Sequence, residues 1–175
     1  MSDDVTFWFD PSCPFTWRTS RWLMAVTEAR GLTIEQEGGR RLARLLVAVD
    51  EKYDTEVMER LYAELGRRIH GEHREIDDRV ILESLEDAGL PDHLLSQADD
   101  AQMDEYLVES HYEGQDRIGT EAGSPILAIG DGPGFFGPVV VPVPEGEAAE
   151  KLFDAVRLLS AVPEFSELKT ARNPL

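Results

Sequence analysis

Cys13 is the only thiol among the 175 residues, and its setting has a chemical logic. It stands within Asp10-Pro11-Ser12-Cys13-Pro14-Phe15-Thr16-Trp17, between an apolar run and a helical pattern. The N–H groups and dipole at a helix N-terminus stabilise a thiolate, the form of cysteine that attacks disulfides and electrophiles. Pro14 suits the first helical position, where its missing N–H would have no partner anyway. Thr16, three residues on, is predicted to reach back along the first turn and donate a hydrogen bond to the sulfur. Phe15 and Trp17 are candidate apolar walls for an aromatic substrate. The competing expectation for a lone cysteine is a small buried hydrophobe. A second feature, Gly123-Ser124-Pro125, opens an apolar run near residue 126. A proline there is either an ordinary strand-start residue or a cis proline in a tight turn, and three residues do not decide between them.

Other constellations read as structural. Gly132-Pro133-Gly134-Phe135-Phe136-Gly137 matches a dinucleotide-binding glycine pattern literally. That fingerprint needs a helix after it, whereas Pro138 and a valine run follow, so a hairpin turn is expected. His70 and His73 stand with Glu72 and Glu75, but Gly71 between them makes a poor rigid zinc site, and helix-end histidines are expected. His93 is assigned to solvent. No metal site is expected.

The elements that must position Cys13 follow from periodicity. Residues 5–9 form a short apolar run, a buried-strand candidate, broken by Asp10-Pro11-Ser12. A helix is predicted from Pro14 to about Arg30, with Phe15, Thr19, Trp22, Leu23 and Val26 on one face and Gly31 as its stop. Residues 32–37 alternate and read as a second strand. The middle is helical: Leu42, Leu45, Leu46, Val49 and Tyr53 make one stripe, and Val57, Met58, Leu61, Tyr62, Leu65 and Ile69 another. Asp77 is a candidate cap for a helix ending before Gly89. A short helix is expected at Pro91, and a longer one over 101–118, capped by Asp99 or Asp100 and stopped by Gly119. Strands are expected over 125–129 and 135–141, the second interrupted by Gly137-Pro138. Ala148, Ala149, Leu152, Phe153, Val156 and Leu159 make a last amphipathic helix. The order is β-α-β, a helical block, then β-β-α, an α/β class.

Composition bounds the partners. Seventeen basic against 35 acidic residues give a formal net charge of −18. No basic run exceeds a pair such as Arg40-Arg41, so the chain is expected to bind neither nucleic acid nor an anionic membrane surface. One cysteine excludes an internal disulfide. There is no apolar run long enough for a membrane span, and the acidic start MSDDVTFWFD lacks signal-peptide character. A cytoplasmic location is the expectation.

With these elements in order, the chain resembles a thioredoxin fold carrying a helical insertion, the DsbA-like group. It is most similar to the actinobacterial mycothiol-dependent nitroreductase-like family. The resemblance rests on FWFDPSCPFTWRTSRWL (7–23), RLYAELGRRIHGEHREID (60–77), ESLEDAGLP (83–91), GSPIL (123–127), FFGPVV (135–140) and FSELKTAR (165–172). It implies a thioredoxin-fold domain of residues 1–38 and 123–175 with a helical insertion of 39–122. It also implies that Cys13 is the nucleophile and that Pro125 is a cis proline facing it. Ser124 would help to orient the partner sulfur. Cys13, Thr16 and Pro125 are thus the expected catalytic group, with Pro14, Phe15, Trp17 and Ser124 lining the thiol or substrate.

The chain departs from the family pattern at Cys13-Pro14-Phe15-Thr16, where the family has Cys-Pro-Trp-Cys. The segment after residues 32–37 also looks short for the family. Without a resolving thiol, the route that remains is a mixed disulfide. The resemblance therefore implies a monothiol oxidoreductase with no tightly bound cofactor. Mycothiol or another low-molecular-weight thiol would be its co-substrate, and small molecules, nitroaromatics among the candidates, its substrates. Two alternatives stand beside it: a thiol-cofactor transferase or isomerase of the DsbA-like group, and a redox-inactive thioredoxin-fold binding module. Self-association into a homodimer is open.

Overall fold

The computed structural model describes residues 4–26 and 37–174. The Gly31 stop and the strand predicted over 32–37 lie outside the described residues, save that Glu37 opens a helix. The chain divides into two compact units. One comprises Met1–Phe9, Cys13–Thr33 and Ser110–Leu175; the other comprises Asp10–Ser12 and Ile34–Glu109.

The first unit is built on a three-stranded antiparallel sheet of β1 (Val5–Trp8), β2 (Ile126–Ile129) and β3 (Gly134–Phe136), in that order. β1 pairs with β2 in the register Val5↔Ile129 to Trp8↔Ile126. Residues opposite each other share a face, so Phe7 and Leu127 point one way, and Trp8, Ile126 and Ala128 the other. All five are fully buried. Burial on both faces explains why β1 reads as a continuous apolar run rather than an alternating one. The face with Trp8 packs against Ile118 and Ala122. A Cβ at Gly114 would stand 3.0 Å from Trp8 Cγ, closer than an ordinary van der Waals contact, so glycine suits the close approach of that stretch of helix to the indole. β2 and β3 are joined by the glycine-rich turn, where Gly132 N–H donates to Ile129 O at 3.1 Å. Arg117 caps this hairpin by donating to Gly130 O and Gly132 O.

Helix α1 (Pro14–Val26) buries Thr16, Thr19, Ser20, Trp22 and Leu23. Trp22 Nε1 donates to Ala149 O at 3.0 Å on helix α6 (Glu147–Ser160), and its ring meets Phe153 at 6.5 Å. The last strand is shorter than the predicted 135–141. It stops at Phe136, because Gly137 has φ +99 and Pro138 has no N–H to give a ladder.

The second unit is helical. It holds α2 (Glu37–Lys52), α3 (Thr55–Gly66) running into a π-helical turn (Arg67–Gly71), α4 (Asp78–Asp87), and 3-10 segments at Asp92–Asp99 and Ala101–Met103. α5 (Asp104–Ile118) begins in this unit and ends in the first. Leu42, Leu45, Leu46, Val49, Met58, Leu61, Leu65, Val80, Ile81 and Leu85 form the core. Each such side chain contributes about 1.5–3 kcal/mol by burial. Tyr53, expected on the first stripe, is instead 38% exposed because α2 ends at Lys52. Asp77 caps α4 by accepting from Val80 N–H at 2.8 Å. No helix among the described residues is long and apolar enough to cross a membrane.

Arginine–carboxylate pairs tie the helical unit. Arg44 grips Asp104 through two hydrogen bonds of 2.7 Å, and Arg41 bridges Asp78 and Asp99. Arg68, 5% exposed, donates to Glu64, Asp87 and the main-chain oxygen of Glu83. Arg74 and Arg79 both donate to the Glu83 carboxylate. Those hydrogen bonds, Arg74's the larger, lower the Glu83 pKa from 4.5 to about 2. At the start of this unit, the buried Asp10 carboxylate accepts from Ser12 N–H at 2.8 Å and from its hydroxyl at 2.7 Å. His70 Nε2 lies 3.0 Å from Pro11 O, so His70 ties the π-helical turn to the same segment rather than only ending a helix. The Cα of Gly39 backs onto this turn. An added Cβ would meet Asp10 Oδ1 and Ser12 Oγ, each at 2.8 Å.

Two outcomes follow from these contacts. A carboxyl held below its unfolded value stabilises the fold fully above that value and ceases to do so once it is protonated in the folded state. Glu83→Gln is therefore expected to be less stable than the parent above pH 4.5, with the difference shrinking on acidification and gone below about pH 2. Urea unfolding of both proteins across that pH range measures it. Gly39→Ala has no room beside the Asp10–Ser12 turn and should cost about 1–3 kcal/mol of unfolding free energy, read by the same method.

Candidate functional site

The residues singled out in sequence come together in the first unit. Cys13 caps α1: its carbonyl accepts the first helical bond, from Trp17 N–H at 3.0 Å. Pro14 takes the first helical position, where a missing donor costs nothing. Cys13, Pro14, Phe15 and Trp17 are half-buried, and Thr16 is fully buried. Cys13 is a free cysteine, half-buried as a residue, at the N-terminal end of the helix, the place where main-chain N–H groups have no helical partner.

Ser124 and Pro125 lie beside this turn. The register Trp8↔Ile126 puts the end of β1 opposite the start of β2, so the chain entering α1 and the chain entering β2 emerge at the same edge. The Ser124–Pro125 peptide is cis. Thr16 Oγ1 donates to Ser124 Oγ at 3.2 Å. This corrects the expectation that Thr16 bonds the Cys13 sulfur: a hydroxyl has one proton, and here it is directed across to Ser124. The buried first turn of α1 and the loop before β2 are thereby joined through side chains 108 residues apart. Further along α1, the Thr19 hydroxyl lies 2.7 Å from Pro138 O and 3.0 Å from Phe15 O, and its one proton is shared between these two carbonyl oxygens. Gly137 N–H donates to Pro125 O at 2.8 Å. The segments at 124–125 and 137–138 are thus both fastened at the end of the sheet where Cys13 stands.

Trp17 and Phe15 have different cationic neighbours. The Arg21 guanidinium lies 6.0 Å from the Trp17 ring centre, whereas Phe15 has other company. The segment after α6 crosses back over the unit: Phe165 packs on Phe135 at 5.7 Å, and the Asn173 side chain donates to Val141 O at 2.6 Å. The Arg172 guanidinium lies 5.2 Å from the Phe15 ring centre and 5.8 Å from that of Phe136. Phe136 and Arg172 were not picked out as site residues in the sequence. An arginine beyond the last helix carries no local signal, and Phe136 reads as one more residue of a strand. Among the described residues, no group of three or more His, Cys, Asp or Glu side chains could hold a metal ion.

The arrangement has counterparts of known structure. A thioredoxin-like oxidoreductase from Silicibacter pomeroyi superposes with a TM-score of 0.56 at 20% identity, over 89% of this chain and 86% of that one. Chlamydia trachomatis DsbA gives 0.57 at 17% identity, over 90% and 89%. The fold is therefore the DsbA-like thioredoxin fold that the sequence led us to expect. In sequence, the chain is 28% identical to the uncharacterized protein Rv2286c of Mycobacterium tuberculosis, over 97% of this chain and 83% of that protein. That alignment runs over 196 positions, so the relative carries residues with no counterpart here. The profile of the Rv2466c-like family, described as mycothiol-dependent nitroreductase Rv2466c, matches residues 36–170. The match begins after the Cys13 segment, and it covers most of the chain. The chain belongs to the Rv2466c-like family of mycothiol-dependent nitroreductase-related proteins.

Proposed function

We propose that the protein is a monothiol oxidoreductase in which Cys13 is the nucleophile. The observation that carries this reading is the Thr16–Ser124 hydrogen bond. It holds the turn bearing Cys13 against the loop bearing Pro125, so that a partner sulfur arriving at Cys13 meets the main chain of that loop.

In the first step, the Cys13 thiolate attacks one sulfur of a disulfide. A new S–S bond forms at Cys13, the old one breaks, and the departing thiolate takes a proton from solvent. In the second step, a low-molecular-weight thiol attacks the mixed disulfide as its thiolate. It leaves with the bound half as a new disulfide and returns Cys13 as a thiolate. Mycothiol, named in the description of the family, is the candidate thiol. Thr16 stands where a second cysteine would otherwise discharge the intermediate, so the external thiol is required for turnover. Pro14, Phe15 and Trp17 are the residues a small aromatic substrate would touch. The Thr16–Ser124 hydroxyl pair also suits a second reading, a transferase or isomerase acting on a bound thiol cofactor without net redox change.

Iodoacetamide alkylation, read by intact mass, tests the central claim without ambiguity because there is one cysteine. Near neutral pH, Cys13 should react several-fold faster in the folded chain than in the same chain unfolded in urea, as expected for a thiolate held at a helix N-terminus. Slower labelling in the folded chain, or none, would make the thiol structural and leave a binding module as the surviving description. Tight binding of mycothiol, together with failure of Cys13 to exchange with the disulfide of mycothiol, would select the transferase reading.

A further inference from the structure

We propose that the segment following α6 is part of the thiol site, and that Arg172 selects a disulfide substrate bearing a carboxylate. The inference rests on the reading of Cys13 as a nucleophile and goes beyond it by naming the class of molecule that Cys13 attacks.

Three observations meet at this residue. First, Arg172 is fixed by position and not by charge. Its guanidinium lies against Phe15, two residues past Cys13, and against Phe136, whose register partner Ile126 directly follows Pro125. The two rings thus come from the two segments that carry the candidate site. The neighbouring Asn173 fastens the same stretch to Val141 O.

Second, among the described residues Arg172 makes no ion pair, in a chain with 35 acidic side chains. Six of the eight arginines of the helical unit behave differently: Arg41, Arg44, Arg67, Arg68, Arg74 and Arg79 each hold at least one carboxylate. A guanidinium stacked on ring faces keeps its N–H donors at the edge of the plane, and their fork matches the two oxygens of a carboxylate.

Third, a net charge of −18 repels anions at long range. A protein of this charge that takes an anionic substrate needs a local cation beside the reacting atom. Arg172 is a cation that the fold brings from a distant segment onto Phe15, two residues past Cys13.

A matched pair of aromatic disulfides tests the proposal: dithiodinicotinic acid, which carries carboxylates, and dithiodipyridine, which does not. Each transfers one half to Cys13 and releases the other as a coloured thione, so the second-order rate is read directly. In Arg172→Gln, the rate with dithiodinicotinic acid should fall about tenfold, the size of one exposed charge-assisted fork. The rate with dithiodipyridine should stay within about twofold. Arg172→Lys, which keeps the charge and loses the planar fork, should fall between. Lys169→Gln removes the same charge from the same segment and should leave both rates within about twofold. Equal loss with both reagents, no loss with either, or an equal effect of Lys169→Gln would overturn the proposal. A parent protein that reacts with neither reagent would overturn the monothiol reading itself. Normal reaction with dithiodipyridine, without discrimination by Arg172, would overturn only the role of Arg172.

Discussion

The antiparallel pairing of Trp8 with Ile126 fixes which loops of the first unit meet at the end of its sheet. β1 ends where β2 begins, so the two loops that leave this edge are neighbours however far apart they lie in sequence. The pairing is held by burial on both faces: Phe7 and Leu127 on one, Trp8 and Ile126 on the other, all without solvent exposure. A shift of one residue would turn every one of these side chains to the wrong face, so the register is strongly specified. Gly114 suits the same arrangement from outside, since a Cβ there would crowd the Trp8 indole at 3.0 Å. The Thr16–Ser124 bond can be a modest one because the sheet has already brought its partners together.

The charges divide the molecule in a way that the formal total hides. In the helical unit, six of the eight arginines work as clasps, each closing on a carboxylate from another turn or another helix. Exposed pairs of this kind are worth little singly, but networks that share an arginine hold better. Arg68 is the clearest case, because its guanidinium is buried and would be costly without Glu64 and Asp87 around it. In the first unit, Arg117 and Arg172 are used otherwise. One caps the carbonyls of a hairpin, and the other lies on aromatic faces.

Much of this was legible in the sequence where a local rule decides. Asp77 announced the start of α4, the buried run of residues 5–9 announced a strand, and the turn chemistry at 130–134 outweighed a literal glycine motif. Cys13 and Pro14 announced a helix start. Less legible was whatever depends on a partner far along the chain. The Thr16 hydroxyl was expected to serve the nearby sulfur, and its acceptor turned out to be Ser124, a choice set by sheet register that no window of neighbouring residues contains. The strand beyond Phe136 read as continuous because Val139, Val140 and Val141 favour extended backbone, while the glycine and prolines around them deny the ladder. The seat of Arg172 on Phe15 was invisible for the same reason: it joins two points 157 residues apart.

Thr16 occupies a position at which a second sulfur would let the chain settle its own accounts. With a hydroxyl there, already committed to Ser124, nothing within these 175 residues can discharge a disulfide once it forms at Cys13. The lifetime of such an adduct is then a property of the surroundings, set by how much free thiol they supply. A two-cysteine relative resets itself by an internal reaction whose rate does not depend on concentration. This chain would wait, and the fraction of it that is modified at any moment would register the balance between oxidised partners and reducing thiol around it.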